Sequence, residues 1–194
     1  MGQPAKPAGP VVKRIPDGDN QPRLVCDDCG FVNYVNPKVV VGAVAVWEDR
    51  VLLCRRAIEP RVGYWTIPAG YLEVNETPTD GALREAREEA NAELVINALL
   101  AVYSVPRISQ VQLIYRAGLA SSKIWPGTES QEALLFDWAD IPWHELAFPS
   151  VHWALNAHRE VRGESAFSPR TNPPGESGDH MPNTKRAGHT ETAS

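Results

Sequence analysis

Three features of the sequence predict an α/β fold. Two runs rich in β-branched residues flank a turn at Glu48-Asp49 in "VVVGAVAVWEDRVLLCRRA" and read as a strand pair. A helical pattern from Thr77 to Asn91 carries a stripe of Leu83, Ala86 and Ala90, small enough to let the helix approach a sheet closely. Further alternating segments follow, and the chain ends its patterned part in an amphipathic helix. A helix with an apolar stripe set among strands must bury that stripe on the sheet, which is the layered arrangement of the α/β class.

Each element can be justified in turn. The first 24 residues are rich in Pro, Gly and Ala, and "IPDGDN" (15–20) is a turn signal in which Pro presets φ and Gly takes positive φ. "CDDCG" (26–30) precedes the strand pair. "GYWTIPAGYLEV" continues in short extended pieces punctuated by Gly and Pro. Thr77 fits an N-cap, Pro78 the first helical position and Asp80 a variant capping box. After the helix, "ELVINALLAVYSV", "SQVQLIYRAGLA" and "ALLFDWADIP" read as strands, and "PWHELAFPSVHWALNAHREV" as a turn entering the closing helix. From about Arg162 aliphatic residues almost vanish, so a disordered tail is expected over 161–194, after a segment at 1–35 and a core domain at 36–160.

The 194 residues suit one core domain, and 43% hydrophobic with 22% charged residues is a globular composition. A formal net charge of -5 gives no basic footprint, so no nucleic-acid partner is expected. The longest apolar run, Val39 to Trp47, is too short to span a bilayer, so no membrane partner is expected either. The N-terminus lacks the apolar stretch of a secretory signal, and three cysteines make no disulfide framework. The expected compartment is a reducing cytoplasm.

The chemistry is concentrated in "LREAREEANA" (83–92). Glu85, Glu88 and Glu89 stand at i, i+3 and i+4, which stacks three carboxylates on one helix face despite their mutual repulsion. Either that face is solvated or it holds positive charge. Around it lie Gly70, then Glu76 after five intervening residues, and Arg84 after seven more. The full stretch "GYLEVNETPTDGALREAREEANA" resembles the Nudix box. Two positions depart from the box: Asn91 stands where glycine belongs, and Ala92 where a large aliphatic residue belongs. Asn is the next-best residue after glycine for a left-handed helix end, so this departure is expected to cost stability and leave the ligands intact.

The resemblance extends from roughly Asn36 to Ala154 and points to the Nudix subgroup with an N-terminal zinc ribbon, which includes FAD and ADP-ribose pyrophosphatases. It implies a mixed sheet sandwiched between helices, with the metal helix on one face. It also implies Mg²⁺, with Mn²⁺ as the alternative ion, held by Glu85, Glu88, Glu89 and the main-chain carbonyl of Ala69. Mg²⁺ prefers hard oxygen ligands, can polarise a phosphoryl group and lowers the pKa of bound water. Arg84 and Glu76 are assigned to an ion pair that pins the loop to the helix. Upstream of "IPDGD" the ribbon's first cysteine pair is replaced by Pro4 and Pro7, leaving Cys26 and Cys29. Two thiolates are half of a tetrahedral set, so intrachain zinc is not expected, and zinc completed across a dimer stays open. A homodimer is implied only by the resemblance.

On the substrate side, strand alternation lets only one of Arg55 and Arg56 face the site; the resemblance implies a phosphate-facing arginine here, and Arg56 is the preferred choice. Trp65 reads either as core support for the glycine loop or as a stacking platform. Tyr71 is a stacking or phosphate candidate. The general base is a box carboxylate, Glu88 or Glu89, or else Glu129 from the later loop "PGTESQEALLF"; Glu132 would start the strand after it. The expected reaction is Mg²⁺-dependent cleavage of a nucleoside diphosphate linked to another moiety, ADP-ribose or FAD, giving AMP. The alternatives are an NADH pyrophosphatase, whose Ser-Gln-Pro-Trp-Pro signature is missing here, and a binding or sensor domain without turnover.

Overall fold

The computed structural model describes residues 9–178, and the chain divides into two compact units, Met1–Pro37 and Lys38–Ser194. In the first unit, β1 (Val12–Arg14), β2 (Arg23–Val25) and β3 (Val32–Asn33) form a three-stranded antiparallel sheet in the order β1-β2-β3. The turn between β1 and β2 is closed by Asp19 N–H donating to the Pro16 carbonyl at 3.0 Å, with Gly18 at φ 80°. The turn between β2 and β3 runs through "CDDCG": Gly30 N–H donates to the Cys26 carbonyl at 2.8 Å, and Cys26 N–H to Phe31 at 2.9 Å. Cys26 is buried and Cys29 exposed, both as free thiols. Pro4 and Pro7 lie outside the described residues.

The second unit is built on a seven-stranded sheet. Its main path uses β4 (Lys38–Trp47), β5 (Arg50–Arg56), β8 (Leu94–Val105), β9 (Gln110–Leu119) and β10 (Ser130–Phe136). Two short strands, β6 (Trp65–Thr66) and β7 (Ala69–Tyr71), pair with β5 and β4. The order is β10-β5-β4-β9-β8, with β4 and β9 parallel and the remaining pairs antiparallel, which makes the sheet mixed. No helix among the described residues is long and apolar enough to cross a membrane.

Strand alternation sorts the core into two layers of different residue size. One face of β4 and β5 presents Val44, Val51 and Leu53, which pack with Trp65, Leu100, Tyr103 and Trp153. That layer is covered by α2 (Pro149–Glu160), the closing helix. The opposite face presents Ala43, Ala45, Leu52 and Cys54 to Ala86 and Ala90 of α1 (Pro78–Ala90). Alanines on both sides bring the α1 backbone close to the sheet, so the carboxylates on the flanking stripe of α1 come close to β7. Gly42 of β4 is part of the same close approach: a Cβ there would sit 2.6 Å from the Pro68 carbonyl oxygen.

Both ends of α1 are capped. Thr77 is the N-cap, accepting from the Asp80 N–H, and the Thr77 hydroxyl donates to the Asp80 carboxylate at 2.6 Å. At the C-terminus Asn91 adopts φ 48°, ψ 33°; its N–H donates to the Arg87 carbonyl at 2.9 Å and the Ala92 N–H to the Ala86 carbonyl at 3.1 Å. The left-handed end expected at the box glycine position is therefore present with asparagine in it.

The chain after α2 differs from the disordered tail expected from composition. Residues 162–178 form a strap along β8. Arg170 N–H donates to the Leu100 carbonyl and its carbonyl accepts from Val102 N–H, both at 2.8 Å. The Asn172 side chain accepts from Ser104 N–H at 2.9 Å and donates to the Ser104 carbonyl at 2.8 Å. Trp153 Nε1 donates to the Glu176 carboxylate at 2.5 Å. Composition misses the strap because its hold is hydrogen bonding to a sheet edge and to Trp153, which does not need an aliphatic pattern. The rest of the expected tail, 179–194, lies outside the described residues.

Candidate active site

A cavity of about 780 Å³ opens beside α1, within the size range of small-molecule sites. Its lining brings together Glu85, Glu88 and Glu89 from α1, Ala69, Gly70 and Tyr71 from β7, Arg56 from the end of β5, Arg84, and Glu129 from the loop before β10. Residues 69 to 89 are joined by one loop and one helix. Arg56 and Glu129 reach the site because β5 and β10 are neighbours, with Ser130 opposite Arg56 in register.

Arg84 organises the rim. Its Nε and Nη2 donate to the two Glu76 carboxylate oxygens at 3.1 and 2.8 Å, a planar fork on a planar acceptor. Nη2 also donates to the Tyr71 carbonyl at 2.9 Å, and Nη1 to Glu85 at 2.7 Å and Glu88 at 2.9 Å. Arg84 and the Glu73 N–H, which donates at 2.7 Å, together hold the Glu76 carboxyl down at about 2. Glu76 itself stands behind Arg84 and does not line the cavity. Lysine has a single point charge and cannot reproduce this fork. Arg84→Lys is therefore expected to destabilise the protein by about 2 kcal/mol, measured by urea denaturation. An unchanged midpoint would mean that the loop is held by other contacts.

Of the two deeper glutamates, Glu85 is paired with Arg84 and Glu89 is poorly compensated. Glu89 is 6% exposed, and the Ala69 N–H at 3.4 Å is its only hydrogen-bond donor in the described set. Burial, followed by the Glu85 charge, pushes the Glu89 carboxyl up to about 8. Burial also raises Glu85, against the lowering effect of Arg84. Glu129 adds negative charge to both. Gly70 makes room for this arrangement, since a Cβ on it would overlap the Glu85 carboxylate. With Arg84 bonded to Glu85 and Glu88, no three acidic, His or Cys side chains among the described residues already converge on one point. The donor set is all oxygen, on a rigid element, and carries excess negative charge. That is the chemistry that suits a hard divalent cation.

Two sequence candidates fall elsewhere. Arg55 does not line the cavity: its Nη1 donates to Glu132 at 2.7 Å and its Nε to the Gly63 carbonyl at 2.9 Å. Strand alternation turns it away from the face that Arg56 occupies, so its assignment as a substrate ligand is corrected. Trp65 is 6% exposed in the core, edge-on to Phe136 with ring centroids 4.9 Å apart, so it supports the loop and offers no stacking face to the cavity. Tyr71 is half exposed at the rim, with its hydroxyl 3.2 Å from Gln110 Nε2. Arg56 packs over Phe148, the guanidinium carbon 5.3 Å from the ring centroid, and donates to the Pro60 carbonyl at 2.7 Å.

The lining also includes Arg61, Arg107, Gln110, Gln112 and Phe148, none of which the sequence reading singled out. They come from loops and strand ends far apart in the chain. The one usable signal was the polar "SQVQ" at the start of β9, where glutamines alternate with apolar residues.

A helix that presents buried carboxylates to such a cavity, with an arginine at its wall, suits a divalent cation and a phosphorylated ligand, the parts a hydrolase of phosphorus-containing anhydrides needs. The chain belongs to the Nudix family: the NUDIX domain model matches residues 36–161, and the Nudix N-terminal zinc-ribbon model matches 8–35. A solved NUDIX hydrolase from Nitrosomonas europaea superposes with a TM-score of 0.79 at 48% identity, covering 84% of this chain and 94% of that one. An ADP-ribose pyrophosphatase of Methanocaldococcus jannaschii is 29% identical over 119 residues, 59% of this chain and 69% of that protein. The NAD-capped RNA hydrolase NudC of Vibrio atlanticus is 27% identical over 126 residues, 63% of this chain but 46% of that protein.

Proposed function

We propose that this Nudix pyrophosphohydrolase cleaves a nucleoside diphosphate joined to a second moiety, with ADP-ribose as the preferred substrate and FAD next, releasing AMP and a phosphorylated remainder. The observation that carries this reading is the buried pair Glu85 and Glu89, the first bonded to Arg84 and the second raised by burial, beside Arg56 and Glu129 in one cavity. The similarity to an ADP-ribose pyrophosphatase supports the choice of substrate. The residues fit Mg²⁺ or Mn²⁺, which Glu85, Glu88, Glu89 and the Ala69 carbonyl would hold. When bound, the ion would neutralise charge on the diphosphate and favour deprotonation of the attacking water.

The protein's own groups divide the remaining work. Arg56 binds the diphosphate as a fixed cation whose guanidinium is held over Phe148. Tyr71 and Phe148 wall the nucleoside end. Arg84 orients Glu85 and Glu88 through Nη1. A Glu129 carboxylate oxygen takes the proton as the water oxygen attacks phosphorus, and the anhydride P–O bond breaks on the opposite side. The free thiols Cys26, Cys29 and Cys54 agree with a cytoplasmic setting.

Incubation with ADP-ribose, FAD, NADH and a deoxynucleoside triphosphate, with and without Mg²⁺ or Mn²⁺, tests the reading. Cation-dependent release of AMP from ADP-ribose and FAD is expected. If none of the four is cleaved while Glu88→Gln leaves nucleotide binding intact, the chain is a binder and the reading fails. Preferential cleavage of NADH would favour the second reading, a nicotinamide-dinucleotide pyrophosphatase, for which the similarity to NudC is the supporting observation.

A further inference from the structure

The helix that carries the glutamates ends in an unusual way. Asn91 takes the left-handed conformation that glycine adopts most readily, and it adds something glycine cannot: its Nδ2 donates to the Trp125 carbonyl at 3.1 Å. Two backbone bonds run beside it, from Trp125 N–H to the Ala90 carbonyl at 3.1 Å and from Gly127 N–H to the Glu89 carbonyl at 2.9 Å. These bonds fill acceptors that a helix C-terminus leaves open. Gly127 lies so close to α1 that a Cβ on it would overlap the Glu88 carbonyl oxygen. The loop before β10 is thus fastened to the same helical turn that carries Glu88 and Glu89.

Two residues beyond Gly127 stands Glu129. Its carbonyl accepts from the Ala57 N–H at 2.8 Å, and Ser130 N–H closes a turn back to the Gly127 carbonyl at 3.2 Å. Glu129 is therefore held from two sides, by α1 through residues 125 and 127 and by the end of β5 through Ala57. We propose that Asn91 is a positioning residue that fixes Glu129 against the glutamates of α1, so that the loop carboxylate and the helix carboxylates move as one unit. This rests on the reading of Glu129 as the proton acceptor. A base displaced by a fraction of an ångström loses much of its advantage, so one side-chain bond at the loop's root reaches the chemistry.

The measurement is kcat and KM, at saturating Mg²⁺ and with the fastest substrate of the panel. The proteins are the native chain, Asn91→Gly, Asn91→Asp, Glu129→Gln and the double variant Asn91→Gly/Glu129→Gln, with thermal midpoints for all. Glycine and aspartate both tolerate the left-handed conformation, and both lack the amide donor. Asn91→Gly and Asn91→Asp are expected to lower kcat about five- to tenfold, with KM within about twofold. The Asn91→Gly midpoint is expected to be unchanged or higher, and the double variant no slower than Glu129→Gln alone. Gly127→Ala, which cannot keep the loop seated, should lower kcat in the same manner. Native kcat in Asn91→Gly, or an equal fold-loss with and without Glu129, overturns the proposal. A native kcat in Glu129→Gln overturns the base assignment itself and the proposal with it, and that single variant tells the two failures apart.

Discussion

Glu89→Gln is expected to lower kcat at least about a hundredfold and, at the same time, to make the cation-free protein more resistant to heat at pH 8. The two effects have one cause. Burial and the neighbouring Glu85 charge raise the Glu89 carboxyl from 4.5 in the unfolded chain to about 8 in the folded one. A raised folded value means that the folded state binds the proton more tightly than the unfolded chain. The associated stability is complete below pH 4.5 and is lost as pH rises through about 8. With EDTA present, the native protein should lose thermal stability steadily between pH 5 and pH 8. Glu89→Gln, neutral throughout, should show a flatter profile. Adding Mg²⁺ at pH 8 should restore stability to the native chain and do much less for the variant. Identical pH profiles for the two proteins would show that Glu89 is not the strained carboxyl.

Gly70→Ala is expected to cost nearly as much activity while leaving the fold in place. The added methyl would overlap the Glu85 carboxyl carbon and both its oxygens. What it meets is the far end of a flexible side chain, so the side chain yields and the backbone of β7 stays. Glu85 must then leave its bond to Arg84, and the carboxylate set on α1 loses one of its two deep members. A fall in kcat of about a hundredfold is expected, with a thermal midpoint within a few degrees of the native one. If Gly70→Ala turned over normally, Glu85 would not be needed where the structure places it.

The fold was legible where the pattern was periodic. The strand pair around Glu48-Asp49, the cap at Thr77 and the alanine stripe of α1 could each be read from residue type and spacing, because local chemistry decides them. The glutamate face was legible for the same reason. The opposite wall of the cavity was harder to read. Alternation showed that Arg55 and Arg56 must part, but which of them meets the site depends on the register of β5 with β10, a long-range pairing. Trp65 had two readings, since a large aromatic beside a glycine loop serves packing or stacking equally well. Arg107 and Phe148 carried no signal that could tie them to α1, because only the closed sheet makes them neighbours. Asn91 showed as a departure from pattern, but its bond to Trp125 spans 34 positions and left no trace in the local sequence.

The strap at 162–178 has a consequence for how this chain can be handled. An open edge strand offers a row of unsatisfied amides and carbonyls that can template pairing with another molecule. Here the chain supplies its own partner, laying Arg170 and Asn172 against Leu100, Val102 and Ser104. A boundary drawn at residue 161, where composition changes, would remove no catalytic group and would look harmless. It would also leave β8 as a bare twelve-residue edge, ready to join copies of the protein side by side. The segment that looks most dispensable in the sequence is the one that occupies this edge of the sheet from Leu100 to Ser104.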